Sequence, residues 1–329
     1  MYVSEDGICT INPDGTDRKV IVTSDKGAPF SNPKWSPEKK WIAFTGHVGR
    51  HRKIMLARSD GSKLDTLGLI KTSKSKKSKK EFPGVQVARV EQKDYDIGFE
   101  SWSPDGKYLL TCPFVGFDIS AFGLMGKKGK VKAQIGGSSP DFLGNEKIVY
   151  IVSYGGVTTV GMDIYTIPLN GEEKQNLTND GKAIYYRPVS SAAGDRIVYG
   201  FGKASVDNEL WIMNCDGSDR RMIASQVKDF VGGPLNVIKF SPQGSKILFL
   251  PYHGDRSKIY VINEDGTGLH TVVNDIVNAE GGADWSPNGE QIIFTSMKDG
   301  NAELYIVNVE GAGLKRLTNN NIKDCCPDW

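Results

Sequence analysis

Along this chain apolar and polar residues alternate at period two in short runs, and the runs return in a fixed order. A first half-unit reads "WSPEKKWIAF" (35–44), "WSPDGKYLLT" (102–111), "FLGNEKIVYI" (142–151), "SSAAGDRIVYG" (190–200), "FSPQGSKILFL" (240–250) and "WSPNGEQIIFTS" (285–296). A second half-unit follows as "KIMLARSDGS" (53–62), "DIYTIPLNGE" (163–172), "ELWIMNCDGS" (209–218), "KIYVINEDGT" (258–267) and "ELYIVNVEGA" (303–312), and in the second repeat as a degraded "LMGKKGK" (124–130). Each unit predicts four short strands. The first ends at the Trp or Phe, a Ser-Pro-Asp-Gly turn leads to the second, and an Asp-Gly turn separates the third from a fourth such as "RRMIAS" or "LKRLTN". No long stretch keeps a helical period, so no sizeable helix is expected.

The repeat starts, at 35, 102, 142, 190, 240, 285 and 329, lie 40 to 50 residues apart except for the first interval of 67. A lone four-stranded sheet has bare edges and two uncovered faces, and units of this length usually pack radially as propeller blades. The two ends complete one another. "DCCPDW" (324–329) is the beginning of a unit, and "MYVSEDGICTINPDGT" (1–16) is its continuation. We therefore expect an all-β, seven-bladed β-propeller of four-stranded antiparallel blades, with the last blade made of N-terminal strands two to four and C-terminal strand one, in a single domain, 1–329. Six blades is the alternative.

The pattern P-x-W-S-P-D-G-x-x-I-A-F followed by I-Y-V-x-N-x-D-G-T resembles the TolB-like β-propeller repeat over essentially the whole chain. Trp35, Trp102 and Trp285 stand at that family's Trp position, Phe142 and Phe240 replace it with another ring, and Ser190 has none. The resemblance implies a binding scaffold and a bacterial envelope setting. The protein that names the repeat has six blades and an N-terminal α/β domain with no counterpart in this sequence. Fold resemblance alone does not specify chemistry.

Charge changes the picture in one place. The formal net charge is +2, yet six lysines lie between Lys71 and Lys80, so the remainder carries −4. That basic loop accounts for the long first interval. It is either a solvated segment with nothing apolar to bury or a grip for an anionic polysaccharide; without interleaved aromatic residues, no nucleic acid is expected. No apolar stretch is long enough for a leader or a membrane span. Met1 falls inside a required strand, so the chain is expected to be cytoplasmic, or periplasmic if a leader has been removed.

Blade topology places candidate chemistry on one face. The one-to-two and three-to-four turns are uniform, while the two-to-three loops and blade connections vary, and variable loops on a rigid scaffold carry recognition. Tyr95, Asp96, Glu100, Tyr185, Tyr186, Arg187, Glu280 and Asp324 lie in or just before first strands, where this face meets the channel mouth, and are the candidate binding residues for a protein or peptide. No local catalytic, phosphate-binding or dinucleotide motif is present, and no cofactor or metal is expected. His47 and His51 share one loop, His253 is three blades away, and His270 lies in a fourth strand, which does not make a metal set. The alternative reading is a lyase or hydrolase of an anionic glycan, since propeller enzymes assemble sites from several blades. Five cysteines do not form a disulfide framework, and Cys325 and Cys326, neighbours on a predicted strand, should point to opposite faces.

Overall fold

The turn chemistry organises each blade. Ser36, Ser103, Ser191, Ser241 and Ser286 are buried, and each hydroxyl accepts from the backbone N–H five residues on, at 2.9–3.2 Å, which closes the turn between strands one and two. In the three-to-four turns Asp14, Asp216 and Asp265 accept from the N–H and hydroxyl of the residue two further on, and these bonds hold their carboxyls below the usual range. Such local side-chain bonds favour turns over continued strand.

In the computed structural model, residues 1–24, 30–49, 51–67, 96–114, 121–154, 161–180, 183–203, 206–225, 235–251, 257–277 and 282–329 are described. They contain twenty-eight strands and no helix. In chain order these begin with β1 (Tyr2–Ser4), β2 (Gly7–Thr10) and β3 (Lys19–Thr23). Blade 1 is β4 (Ser31–Trp35), β5 (Trp41–Val48), β6 (His51–Arg58) and β7 (Leu64–Leu67); blade 2 is β8 (Asp96–Trp102), β9 (Tyr108–Phe114), β10 (Ala121–Gly126) and β11 (Val131–Gly136). Blade 3 is β12 (Ser138–Leu143), β13 (Lys147–Tyr154), β14 (Gly161–Pro168) and β15 (Gln175–Asn176). Blade 4 is β16 (Ile184–Ser190), β17 (Arg196–Lys203), β18 (Val206–Asn214) and β19 (Arg221–Ala224). Blade 5 is β20 (Leu235–Phe240), β21 (Lys246–Pro251), β22 (Ser257–Asn263) and β23 (His270–Val277). Blade 6 is β24 (Ala283–Trp285), β25 (Gln291–Ser296), β26 (Glu303–Asn308) and β27 (Lys315–Arg316).

Blade 7 has the order β28-β1-β2-β3, with β28 (Asp324–Cys325) paired to β1 through Val3↔Cys325 and Ser4↔Asp324. The expected union of the two chain ends in one sheet is present. The described residues form the seven four-stranded antiparallel blades of an all-β propeller, not the six-bladed alternative. The chain divides into two compact units, Met1–Pro33 with Ala183–Trp329, and Lys34–Lys182.

Within each unit the core lies between successive blades. In the second unit, Ala43, Ile54 and Leu56 of blade 1 pack with Phe99, Trp102 and Leu109 of blade 2. In the first, Leu248, Ile259 and Val261 of blade 5 meet Trp285, Ile292 and Tyr305 of blade 6, and Tyr2, Cys9 and Trp329 of blade 7 meet Leu304, Ile306 and Leu317 of blade 6. The repeat Trp is a blade-to-blade fastener. Trp102 Nε1 donates to Lys34 O and Trp285 Nε1 to Lys239 O, each at 3.2 Å, so a large apolar ring is buried while its one donor is satisfied by the preceding blade's first strand.

Candidate functional site

First strands carry a shared irregularity. Asn32, Ser139, Arg187, Gly282 and Cys326 have φ of 51°, 49°, 41°, 77° and 58°, and each stands three residues before the repeat position held by Trp35, Phe142, Ser190, Trp285 or Trp329. Register slips flank Ser139 and Arg187, and slips also occur in β8 between Phe99 and Ser101 and in β20 between Leu235 and Val237. In four of these blades the next residue is proline: Pro33, Pro140, Pro188 and Pro327. Proline has no N–H for the ladder and is tolerated at a bulge, where the strand bends and a side chain is re-aimed. Left-handed non-glycine residues are costly, and their recurrence at one position identifies a built feature of the repeat.

The candidate residues divide on this frame. Tyr95 and Glu280 lie outside the described residues, as do His253 and the lysine loop between Lys71 and Lys80; Asp96 opens β8, with only its backbone described. Glu100 is exposed at the β8 slip. In blade 4, Arg187 is exposed on its left-handed bulge and Tyr186 is half-buried, with burial pushing its hydroxyl pKa up. Tyr185 and Asp324 differ from the expected surface placement. Tyr185 is 2% exposed and packs its ring against Tyr199 and Phe201 at 5.6 and 5.4 Å, because alternation in β16 turns it inward. Asp324 is 0% exposed, within the joint between blades 6 and 7.

That joint holds the strongest polar constellation among the described residues. Glu303, at the start of β26, is also 0% exposed. Its Oε1 accepts from Arg316 Nη2 at 2.8 Å and from Asn301 Nδ2 and Asn320 N at 3.0 Å each. Asn320 Nδ2 in turn donates to Asp324 Oδ2 at 2.8 Å, and the Ser4 and Thr318 hydroxyls also bond Asp324. Glu303 Oε2 and Asp324 Oδ1 are buried without a hydrogen-bond partner. Burial tends to raise Glu303, but bonds from Thr318, Asn320, Arg316 and Asn301 outweigh it and hold the carboxyl low. For Asp324 burial wins, aided by the Glu303 charge, and its carboxyl is pushed up.

Beside the joint opens a cleft of about 360 Å³ lined by residues including Asp6, Arg18, Leu317, Thr318, Asn319 and Asn320. Arg18 is oriented by Tyr2 Oη at 2.8 Å and Asp6 Oδ2 at 2.7 Å. Sequence reasoning missed this cleft. The available signal was the echo of "LTNN" (317–320) with "LTND" (177–180), each following an acid at the start of a third strand.

Two further expectations concern histidine and cysteine. His47 and His51 lie in the β5–β6 hairpin rather than in a loop, and His270 is pinned by Gly268 O at 2.8 Å and Val309 O at 3.0 Å. Among the described residues no three His, Cys, Asp or Glu side chains converge as a metal set. Cys325 and Cys326 do not point apart. Only Cys325 is in β28, Cys326 occupies the bulge, and their sulfurs are 3.1 Å apart.

The described blades define a β-propeller whose first strands are bulged and whose blades 6 and 7 meet in a polar joint. Residues 201–329 match the family model described as the TolB beta propeller domain. No curated protein matches the chain. Among solved structures it is similar to TolB from Acinetobacter baumannii at 14% identity and a TM-score of 0.57, covering 100% of this chain and 65% of that one. It is also similar to the β-propeller domain of the Trilobed protease from Pyrococcus furiosus, which has an open velcro topology, at 16% identity and a TM-score of 0.63, covering 95% and 90%. Oligogalacturonate lyase from Vibrio parahaemolyticus matches at 12% identity and a TM-score of 0.62, covering 94% and 83%. These likenesses concern the fold. Among the described residues no helix is long and apolar enough to cross a membrane.

Proposed function

We propose that the chain is a non-catalytic binding propeller that presents its bulged first strands and blade connections to a protein or peptide. The observation that carries this reading is Tyr186–Arg187: residue types enriched in binding hot spots, adjacent on a bulge that holds Arg187 outward at φ 41° while buried Tyr185 anchors the strand. The opposite turns, with their Ser and Asp side chains committed to closing the blades, have little left for specificity. The glycan-enzyme alternative receives less support, because Asp324, the described acid most enclosed among the candidates, has no surface to offer a polymer.

Affinity capture from the source organism's lysate, with the double variant Tyr186→Ala/Arg187→Ala beside the wild type, tests the proposal. A saturable protein partner whose capture falls at least about tenfold in the variant is the expected result. Tyr185 is left intact, since its removal would damage the core. Undiminished capture would remove the assignment to blade 4; cleavage of an anionic glycan by the purified chain would remove the non-catalytic reading.

A further inference from the structure

In an extended strand adjacent side chains point to opposite faces, so consecutive cysteines on one strand are held apart. Blade 7 breaks that rule. Cys325 is the last residue of β28, paired with Val3 of β1 and 9% exposed; Cys326 is the next residue, half-buried, with φ 58°. The bulge brings the Cys326 thiol to 3.1 Å from the Cys325 sulfur, and the thiol donates to it. A disulfide bond is about 2.05 Å long, so roughly 1 Å of approach separates the pair from covalent contact.

The backbone that makes this contact does not depend on the sulfurs. Asn32, Ser139, Arg187 and Gly282 hold the same left-handed conformation at the same repeat position with no cysteine beside them. Pro327 follows Cys326 as proline follows three of those four. The repeat thus presets a conformation in which placing Cys at two neighbouring positions creates a dithiol.

We propose that Cys325 and Cys326 are a vicinal dithiol site that reacts with low-molecular-weight disulfides to close an eight-membered disulfide ring. Cys326, the more accessible of the two, attacks one sulfur of the small disulfide. A Cys326–small-thiol bond forms, the small disulfide bond breaks, and one small thiol departs with the proton lost by Cys326. Cys325 then gives up its proton and attacks Cys326 Sγ, releasing the second small thiol. Two protein thiols are oxidised and one small disulfide is reduced to two thiols, so no other oxidant is required. In the mixed disulfide Cys326 no longer has a proton to donate, but the burial that pushes the Cys325 thiol up persists, so the second step is the slow one and accelerates with rising pH.

The test is to incubate the folded wild-type chain in glutathione buffers from reducing to oxidising, trap it with acid and an alkylating reagent, and map peptides by mass spectrometry. The expected product is a 324–329 peptide lacking two hydrogens and carrying no alkyl group, formed faster at pH 8.5 than at pH 6.5 and reversed by a dithiol reductant. Cys325→Ser is expected to stop at a stable glutathione adduct on Cys326. A wild type that also stops at that adduct, that remains doubly alkylated in the oxidising buffers, or that links either cysteine to Cys9 or to a second chain would overturn the proposal. The wild-type peptide map decides the matter even if the variant fails to fold.

Discussion

Blades 3 and 6 each carry a third-strand acid followed by a Leu-Thr-Asn connection, with different outcomes. In blade 3, Asp163 opens the third-strand core segment; Thr178 Oγ1 donates to its Oδ1 at 2.7 Å, Asn176 Nδ2 to its Oδ2 at 2.9 Å, and Thr178 Oγ1 also accepts from Ile164 N at 3.0 Å. Both carboxylate oxygens are satisfied within the blade. In blade 6, Thr318 Oγ1 accepts from Leu304 N at 3.0 Å in the same manner, but the acid is Glu303, one methylene longer. Its Oε1 gathers Arg316, Asn301 and Asn320 while Oε2 is left bare beside Asp324 of the next blade. The same motif closes one blade and, lengthened by a methylene, places an unsatisfied acid pair in the other's joint.

The comparison can be broken most sharply at the ion pair. Arg316→Met leaves Glu303 buried without its cation and should lower the unfolding free energy by about 3 kcal/mol. Asn176→Ala removes a neutral donor from Asp163, together with a bond to Tyr165 Oη and the acceptor of the Thr178 and Asn179 N–H groups, and should cost less, about 1–2 kcal/mol. Urea denaturation of the two variants measures the gap; equal losses would mean that Glu303 depends on Arg316 no more than Asp163 does on Asn176. Next in size are the shared hydroxyls. Thr178→Val and Thr318→Val each leave a backbone N–H and an acid short of a partner, at about 2 kcal/mol, with Thr318→Val the larger because the acids it adjoins, Glu303 and Asp324, already have one bare oxygen each. Thermal unfolding that ranks them in the other order would separate Thr318 from the joint.

The smallest effect has a sign that depends on pH. Asp324 has a raised carboxyl pKa in the fold, so its contribution is most favourable when it is protonated and is lost as pH rises through the folded value. Asp324→Asn should therefore stabilise the chain at pH 7 by roughly 1 kcal/mol, and the gain should disappear below the ordinary aspartate range, where the wild type is protonated in both states. Glu303, held low, works in the opposite sense: its stabilisation is present above the ordinary glutamate range and is lost as pH falls through its depressed value. Melting curves for the Asp324 variant across this range give the sign directly, and a gain independent of pH would exclude an ionised Asp324 as its source.

How legible these features were in the sequence follows their range along the chain. "SPDG" and "NxDGT" specify their turns because the bonding groups lie within five residues of one another, so blade boundaries follow from the sequence alone. The proline of P-x-W also marked the bulge, although its left-handed preceding residue was not read from it. Tyr185 and Tyr186 look equivalent in the sequence, yet alternation buries the first and leaves the second half-exposed. Asp324 looked like a channel-mouth acid because its enclosure depends on Ser4, more than 300 residues away in the chain, and on Thr318 and Asn320 of a connection that had no assigned role.

Repeat period, turn chemistry and complementary ends led to seven four-stranded blades, with six as the alternative, and to the joining of the termini, since each rests on a pattern that recurs from unit to unit. The tertiary structure alone decided which acids lose water, which first-strand side chains face outward and how two consecutive cysteines meet. Burial and side-chain direction are set by the neighbouring blade and by a single left-handed residue, and neither is a property of the hydrophobic period.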